Sequence, residues 1–473
     1  MAAKPNNDYQ LIVIGGGSAG LAAACSAKES GLDSVLILER EPALGGVLRQ
    51  CIHTGFGLKY FRKELSGPEY ARYFVQRAKA LGVEFKTSAA VLSIDKNKTI
   101  TAVSSADGLL KYQPQAIIAA MGCRERALGS LSIAGTRPTG VYTAGAVQKM
   151  INIHGMIPGK RAAVLGSGDL GMIVARRLVL EHISVAAMIE IQPQVSGLLR
   201  NKVQCIDDFN IPLMLSHTVT EVHGNHRVKA VTVCPVDENR HPIYEKKEQL
   251  LCDTLITSVG LIPEAELLRG LDVNSDGLPD MEWLFTCGNL LFVHDLVDDV
   301  TDGATVTGKN AASYILHGNR IENKAGETTF DRPNKDKMYN RINEVDRKAF
   351  SIYPNELICI LCPNSCIISV NYQDGKLMVE NQLCERGEQY ARSEVEGQFR
   401  TVSSTVPLNS DLSKRLPVRS SKPIPKSKTE EVLKKIRALQ LQAPVAYHQV
   451  LIHNVLGMDA DIIASVSSAE IEH

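Results

Sequence analysis

Four cysteines carry the most specific chemistry in this sequence. "CILCPNSC" at 359–366 places Cys359, Cys362 and Cys366 within eight residues, and Cys384 follows eighteen positions on, a C-x2-C-x3-C-x17-C spacing. Four thiolates on two loops can hold Zn²⁺ or an iron–sulfur cluster. Zinc ribbons present two separated C-x-x-C knuckles, and only one stands here. Three cysteines crowded on one loop, with Pro363 after the second, point to an iron–sulfur cradle, with structural zinc and metal-free thiols as alternatives. The element that must bring Cys384 back is a β-hairpin: "ISVNY" and "KLMVE" flank Asp374-Gly375, a tight-turn pair.

A second set of residues handles phosphate. "LIVI" at 11–14 reads as a buried strand, and Gly15, Gly17 and Gly20 follow in G-x-G-x-x-G spacing. The first glycine allows the turn, the second admits a pyrophosphate, and the third lets helix pack on strand. The helix N-terminus then favours the negative charge. "SVLILER" supplies the next strand, ending in Glu39, nineteen residues beyond Gly20, where a carboxylate can accept from ribose hydroxyls. The pattern recurs 151 residues later. Gly166, Gly168 and Gly171 follow "RAAVL", and Glu190 ends "VAAMIE", again nineteen residues on. Two complete units predict two nucleotides, and spacing alone leaves open which goes where. Glu190 suits a free 2′-hydroxyl and repels a 2′-phosphate, and no Arg or Lys follows until Arg200, so NADH is expected over NADPH at the second unit.

Length and charge bound the rest. A chain of 473 residues predicts about three domains. Lys plus Arg equals Asp plus Glu at 52 each, which gives no global field for nucleic acid or anionic lipid. The uncharged run Tyr9–Ala27 has the length of a membrane span, but its glycines make it a strand, a phosphate loop and a helix. Seven of the eleven cysteines are scattered singly, which argues against a secreted disulfide framework and for a reducing cytoplasm. From Asn319 to Phe350, fourteen of 32 residues are charged, as expected of a linker. Residues 414–437 carry nine Lys or Arg against two acids; a solvated loop is the simpler expectation, and docking of an acidic redox partner is the alternative.

With both fingerprints in place, residues 8–318 resemble the two-dinucleotide-binding flavoproteins that include thioredoxin reductase, NADH oxidase and opine oxidase subunits. "EPALGGVLRQC" carries Gly45 and Gly46, where that family's chain passes the flavin. "AIIAAMGCRER", with Gly122, resembles the turn closing the first flavin segment, and "WLFTCGN" resembles the late strand that reaches the ribityl chain. Gly288-Asn289 stands there in place of the family's Gly-Asp. The resemblance implies an α/β chain: an FAD-binding Rossmann-like domain (1–145 and 269–318), an inserted NAD-binding domain (146–268), a linker (319–356) and a small β-rich four-cysteine domain (357–473). FAD would occupy the first fingerprint and NAD(H) the second. Disulfide reductases of this kind keep two cysteines by the flavin; here Cys51 lacks a partner, so dithiol chemistry is not expected, and a single-thiol peroxidase is the residual possibility. By the same likeness His53 and His294 are candidates for proton transfer beside the isoalloxazine.

The tail, through Cys359, Cys362, Pro363, Cys366, "CERGEQYA", "KPIP" and "NVLG", resembles a small four-cysteine family of anaerobic bacteria, with Ser365 in place of its glycine. That family is usually encoded beside such a flavoprotein and a glycerol-3-phosphate-dehydrogenase-like flavoprotein. The fusion implies an FAD-dependent, NAD(H)-linked oxidoreductase relaying electrons to or from a partner dehydrogenase through a C-terminal metal centre. The alternatives are a self-contained NADH oxidase or peroxidase using Cys51, and a non-catalytic scaffold subunit in an opine-oxidase-like complex.

Overall fold

The computed structural model describes residues 8–271, 281–319, 355–410 and 414–469. Almost all of the expected linker therefore lies outside the described residues.

Strand β1 (Leu11–Ile14) is buried at every position and runs into helix α1 (Ser18–Glu29), and β2 (Val35–Leu38) pairs parallel with β1. A short strand β3 (Thr54–Phe56) precedes α2 (Gly67–Ala80). Helix α2 starts at a capping box, in which Ser66 and Glu69 satisfy each other's backbone N–H groups. Then follow β4 (Glu84–Lys86) and β5 (Ala116–Ala119). The chain next builds a second sheet from β6 (Val141–Thr143), α3 (Ala144–Asn152), β7 (Arg161–Leu165), α4 (Asp169–Leu180), β8 (Ser184–Glu190), α5 (Leu199–Cys205), β9 (Leu213–Leu215) and β10 (Thr254–Thr257). Its order is β6-β10-β7-β8-β9, parallel throughout. Strand β11 (Leu284–Thr286) then returns to the first sheet, giving β11-β5-β1-β2-β4, and α6 (Val297–His317) packs back on α1.

Unbroken apolar strands suit sheets covered on both faces. Helices α1, α2 and α6 close one face of the first sheet over Leu11, Val13 and Ile118; an antiparallel meander closes the other, setting Ile100, Ala102 and Tyr112 on Ile12 and Ile117. Helices α3 and α4 cover one face of the second sheet, and an antiparallel sheet contributes Val219, Val231 and Val233 to the other. Among the described residues no helix is long and apolar enough to cross a membrane.

The tail divides into two pieces. The first is a three-stranded antiparallel sheet, β12 (Glu356–Ile358), β13 (Ile367–Gln373) and β14 (Lys376–Glu380), followed by α7 (Glu385–Glu396). The expected hairpin is present: Gln373 pairs with Lys376, and Asp374 and Gly375 both take positive φ, 51° and 74°, as a two-residue turn of the I′ kind requires. The second piece is β15 (Ser403–Asn409), β16 (Arg415–Ser420), α8 (Thr429–Arg437), β17 (Leu441–Gln442), β18 (Val450–Ile452) and β19 (Ile462–Ala464), in the order β17-β15-β16-β19-β18. Val406, Val418, Val432, Leu433, Ile436 and Ile462 form a fully buried core between α8 and the sheet.

Two expectations change here. The tail is not one small four-cysteine domain over 357–473, because its larger piece carries none of the four cysteines and has an apolar core of its own. The basic run is not a solvated loop but β16 and α8, and several of its cations serve contacts within the chain, while Lys434 and Lys435 stay exposed. Arg419 meets Glu69 of α2, Lys426 meets Asp208, and Arg437 donates to the Leu180 carbonyl at the end of α4. The tail thus touches both nucleotide-binding units.

Candidate functional site

The first glycine loop is built as its spacing predicts. Gly15 has φ +103°, and a methyl group on it would stand 2.5 Å from the Ala120 carbonyl oxygen. One on Gly20 would stand 1.8 Å from the Gly15 carbonyl, so helix and loop touch backbone to backbone there. Gly17 differs: the only neighbour a methyl group would find is the Gly46 Cα at 4.0 Å. Space is therefore open at the N-terminus of α1, where a pyrophosphate belongs, and a side chain would fill it. Glu39 is buried; its Oε2 accepts from Gly16 N–H (2.7 Å) and its Oε1 from Glu41 N–H (2.8 Å). A carboxylate offers about four acceptor positions, so two remain for ribose hydroxyls. Gly122 likewise has open space beside it, whereas Gly288 is packed against Ala19. These residues fit an FAD.

The second loop repeats the design. Gly166 (φ +100°) lies against the Ser258 carbonyl, Gly171 against that of Gly166, and Gly168 faces open space. Glu190 is more fully occupied than Glu39. Its Oε2 accepts from Ser167 N–H (2.9 Å), Ser167 Oγ (2.6 Å) and Ser196 Oγ (2.8 Å), and its Oε1 from Gln192 N–H (2.9 Å). One acceptor position remains on Oε1. Arg200, the first cation after Glu190, is buried in α5 and turns toward Gly55 of β3, where a methyl group would stand 2.7 Å from its Nη2.

Three candidate side chains lie around the first unit. Cys51 donates to Gln148 Oε1 of α3 (3.6 Å), and burial pushes its thiol up to about 12. Its neighbour Gln50 donates to the Gly145 carbonyl and to Gln148 Oε1, so this stretch fastens the flavin-side loop to α3. His53 has its Nδ1 3.0 Å from the Thr54 carbonyl and packs on Phe56. Burial, with Arg176 and Arg200 adding to it, pushes its pKa down to about 3, which disfavours proton exchange through this ring near neutrality. Asn289 Oδ1 takes both the backbone N–H (3.0 Å) and Nδ1 (3.2 Å) of His294, so these two candidates form one unit; burial lowers the His294 pKa.

The cysteine loop is closed by Cys359 N–H donating to the Cys366 carbonyl (2.8 Å), and Ser365 adopts φ +47°, the left-handed region that a glycine would favour. Cys359 is buried, Cys362 and Cys366 are half-buried, and Cys384 is exposed at the start of α7. Burial pushes the Cys359 thiol up, and Cys362, Cys366 and Cys384 add to the effect, so the four thiols lie within electrostatic reach of one another. Among the described residues, however, no three His, Cys, Asp or Glu side chains stand at a spacing that could hold a metal ion. The donor chemistry suits a soft metal; the sulfurs as arranged do not converge on one. The loop is seated on α5: Ser365 Oγ accepts from Arg200 N–H (3.2 Å), Gln204 Nε2 donates to the Ile360 carbonyl (3.4 Å), and Val203 packs against the small core of Cys359, Ile360 and Ile368.

Sequence reasoning missed Arg176, Arg200, Glu69 and Glu125. The last accepts from Gly145 N–H (2.7 Å) at the N-terminus of α3, and burial raises its pKa. Its place in "GCRER" was the available signal.

Two interlocked parallel sheets, each with a glycine loop and a buried ribose acid, define an FAD-dependent pyridine-nucleotide oxidoreductase. Residues 9–281, more than half of the chain, match the Pyridine nucleotide-disulphide oxidoreductase family, and the chain belongs to it. Residues 385–465 match a Protein of unknown function family, DUF1667, which begins one residue after Cys384. Similar curated proteins include Hydrogen cyanide synthase subunit HcnB of Pseudomonas aeruginosa, 28% identical over 280 residues, 55% of this chain and 58% of that protein. An opine oxidase subunit of Agrobacterium tumefaciens is 29% identical over 180 residues, 36% of this chain and 34% of that one. The chain thus spans under three-fifths of the length of these two relatives. Thioredoxin reductase of Treponema pallidum is 23% identical over 320 residues, 65% of this chain and 97% of its own. The crystal structure of T. acidophilum thioredoxin reductase shares the fold, with a TM-score of 0.51, 23% identity, and coverage of 66% of this chain and 98% of that one.

Proposed function

We propose that this protein passes electrons between NADH and a partner dehydrogenase, with FAD on the first glycine loop and the cysteine module as the exit. The observation that carries the reading is the seat of the cysteine loop. Arg200 bonds to Ser365 through its backbone and contacts Gly55 of the flavin-side loop through its guanidinium, so one residue spans the thiols and the flavin domain. NADH is preferred over NADPH because Glu190 would repel a 2′-phosphate and Arg200 is turned elsewhere. Bound flavin supplies the two-electron chemistry, and the chain's part is to hold, orient and shield it. Cys359, Cys362, Cys366 and Cys384 would have to draw together from their present arrangement to hold an iron–sulfur cluster, which exchanges single electrons; zinc is the competing occupant. A thiol peroxidase at Cys51 is disfavoured, because burial holds that sulfur in its neutral form. Iron, sulfide and zinc analysis of protein purified without oxygen tests the exit: iron with sulfide supports it, and one zinc per chain without iron overturns it.

A further inference from the structure

The four thiols of the tail divide two and two. Strands β12 and β13 pair in the register Leu357↔Ile368 and Ile358↔Ile367, so the next rung sets Cys359 opposite Cys366. That rung is closed, because Cys359 N–H donates to the Cys366 carbonyl (2.8 Å). Opposed residues of an antiparallel ladder turn their side chains to the same face. The packing agrees: Leu357, Cys359, Cys366, Ile368 and Val370, alternate positions along the two strands, share one small core with Tyr390 and Ala391 of α7. Cys362 stands apart in the loop that joins the strands, and Cys384 is exposed at the start of α7. A hydrogen-bonded rung holds its Cα atoms about 5.5 Å apart and its Cβ atoms roughly 4.5–5.5 Å apart. A disulfide spans Cα separations of about 4.4–6.8 Å and Cβ separations of about 3.5–4.5 Å. Closing one across this rung therefore takes a shift on the order of 1 Å.

We propose that Cys359 and Cys366 are a redox-active thiol pair that closes reversibly to a cross-strand disulfide, with a low-molecular-weight disulfide as the oxidant. Cys366, the half-buried member, attacks the outer disulfide and expels one small thiol, leaving a mixed disulfide. Cys359 then attacks the Cys366 sulfur and expels the second. Two protein thiols give up two electrons and two protons, and the two small thiols receive them. Excess small thiol reverses both steps. Closure and metal ligation exclude one another, since a metal takes both sulfurs as thiolates. The pair does not rest on the relay reading: strand register sets it whether or not electrons leave through this module.

The test uses the full-length FAD-loaded protein without NADH, freed of metal by chelation, with oxidised glutathione as the probe. Samples are quenched in acid, free thiols are capped, disulfides are reduced, and the released thiols take a second label read by mass spectrometry. The second label is expected on Cys359 and Cys366 together, with the first on Cys362 and Cys384. Cys384→Ser should leave the extent of pairing within about twofold of the parent, because that thiol takes no part in either step. Cys359→Ser should trap at least about tenfold more glutathione on Cys366 than the parent does, because the resolving thiol is gone. Retained FAD and circular dichroism show that each variant is folded. A second label on any other pair, or on none, overturns the proposal, and so does a folded Cys359→Ser variant that traps no glutathione.

Discussion

Replacing Arg419 with methionine should loosen the tail from the flavin domain. Glu69 is wholly buried at the start of α2, and Arg419 of β16 meets it through Nε (3.1 Å to each oxygen) and Nη2 (2.8 Å). His448 Nε2 lies 2.9 Å away, and Ser66 N–H donates to the other oxygen. Breaking a buried pair by removing one partner costs about 3–5 kcal/mol, because a charge is left uncompensated. His448 and Ser66 remain, which places this case near the lower bound, ~3 kcal/mol, a shift of roughly a hundredfold in docking. The assay is hydrogen exchange of the full chain, read at the first turn of α2 and along β16. Protection at both should fall together while β1 and β7 hold theirs. Glu69→Gln added to Arg419→Met should recover part of the loss, since the stranded charge is gone. The sign with pH follows: burial raises the Glu69 pKa, but Arg419, Ser66 and His448 outweigh it and the net shift is downward. The contact is therefore complete above the ordinary carboxylate value and is lost as pH falls through the depressed one. In Arg419→Met the loss should begin at higher pH. Unchanged protection in both segments would refute the reasoning.

Gly17→Val should fold normally yet lose flavin, since the only protein atom near the added Cβ is the Gly46 Cα, at 4.0 Å, while the side chain fills the cradle; heat-released flavin and circular dichroism report the two halves. Glu190→Ala should narrow the NADH-over-NADPH preference in stopped-flow reduction and also loosen the 192–197 turn, because Ser167, Gln192 and Ser196 lose their common acceptor. Cys51→Ser should leave NADH bleaching of the flavin within about twofold, a difference of only ~0.4 kcal/mol; abolished bleaching would restore a redox role for that thiol.

The two nucleotide loops were legible because every part is local. Strand, glycines, helix and acid lie within thirty residues, and the steric demands at Gly15, Gly20, Gly166 and Gly171 are met by backbone a few positions away or on an adjacent strand. The hairpin at Asp374-Gly375 was legible for the same reason. The position of the cysteine loop was not. It depends on Arg200 meeting Ser365, 165 residues apart, and no periodicity encodes such a pairing. The basic run was misread because its acids, Glu69 and Asp208, are far off in sequence: Arg419 and Glu69 are separated by 350 residues.

The central claim is that NADH reduces a flavin whose electrons leave through the cysteine module. Its most direct test is an anaerobic titration of the oxygen-free protein with NADH, followed by its visible spectrum. The account predicts loss of the flavin bands with NADH well before NADPH, accompanied by partial bleaching of the broad absorbance of an iron–sulfur cluster. A flavin that NADH leaves oxidised, or one that is reduced in protein containing no second chromophore, would contradict it.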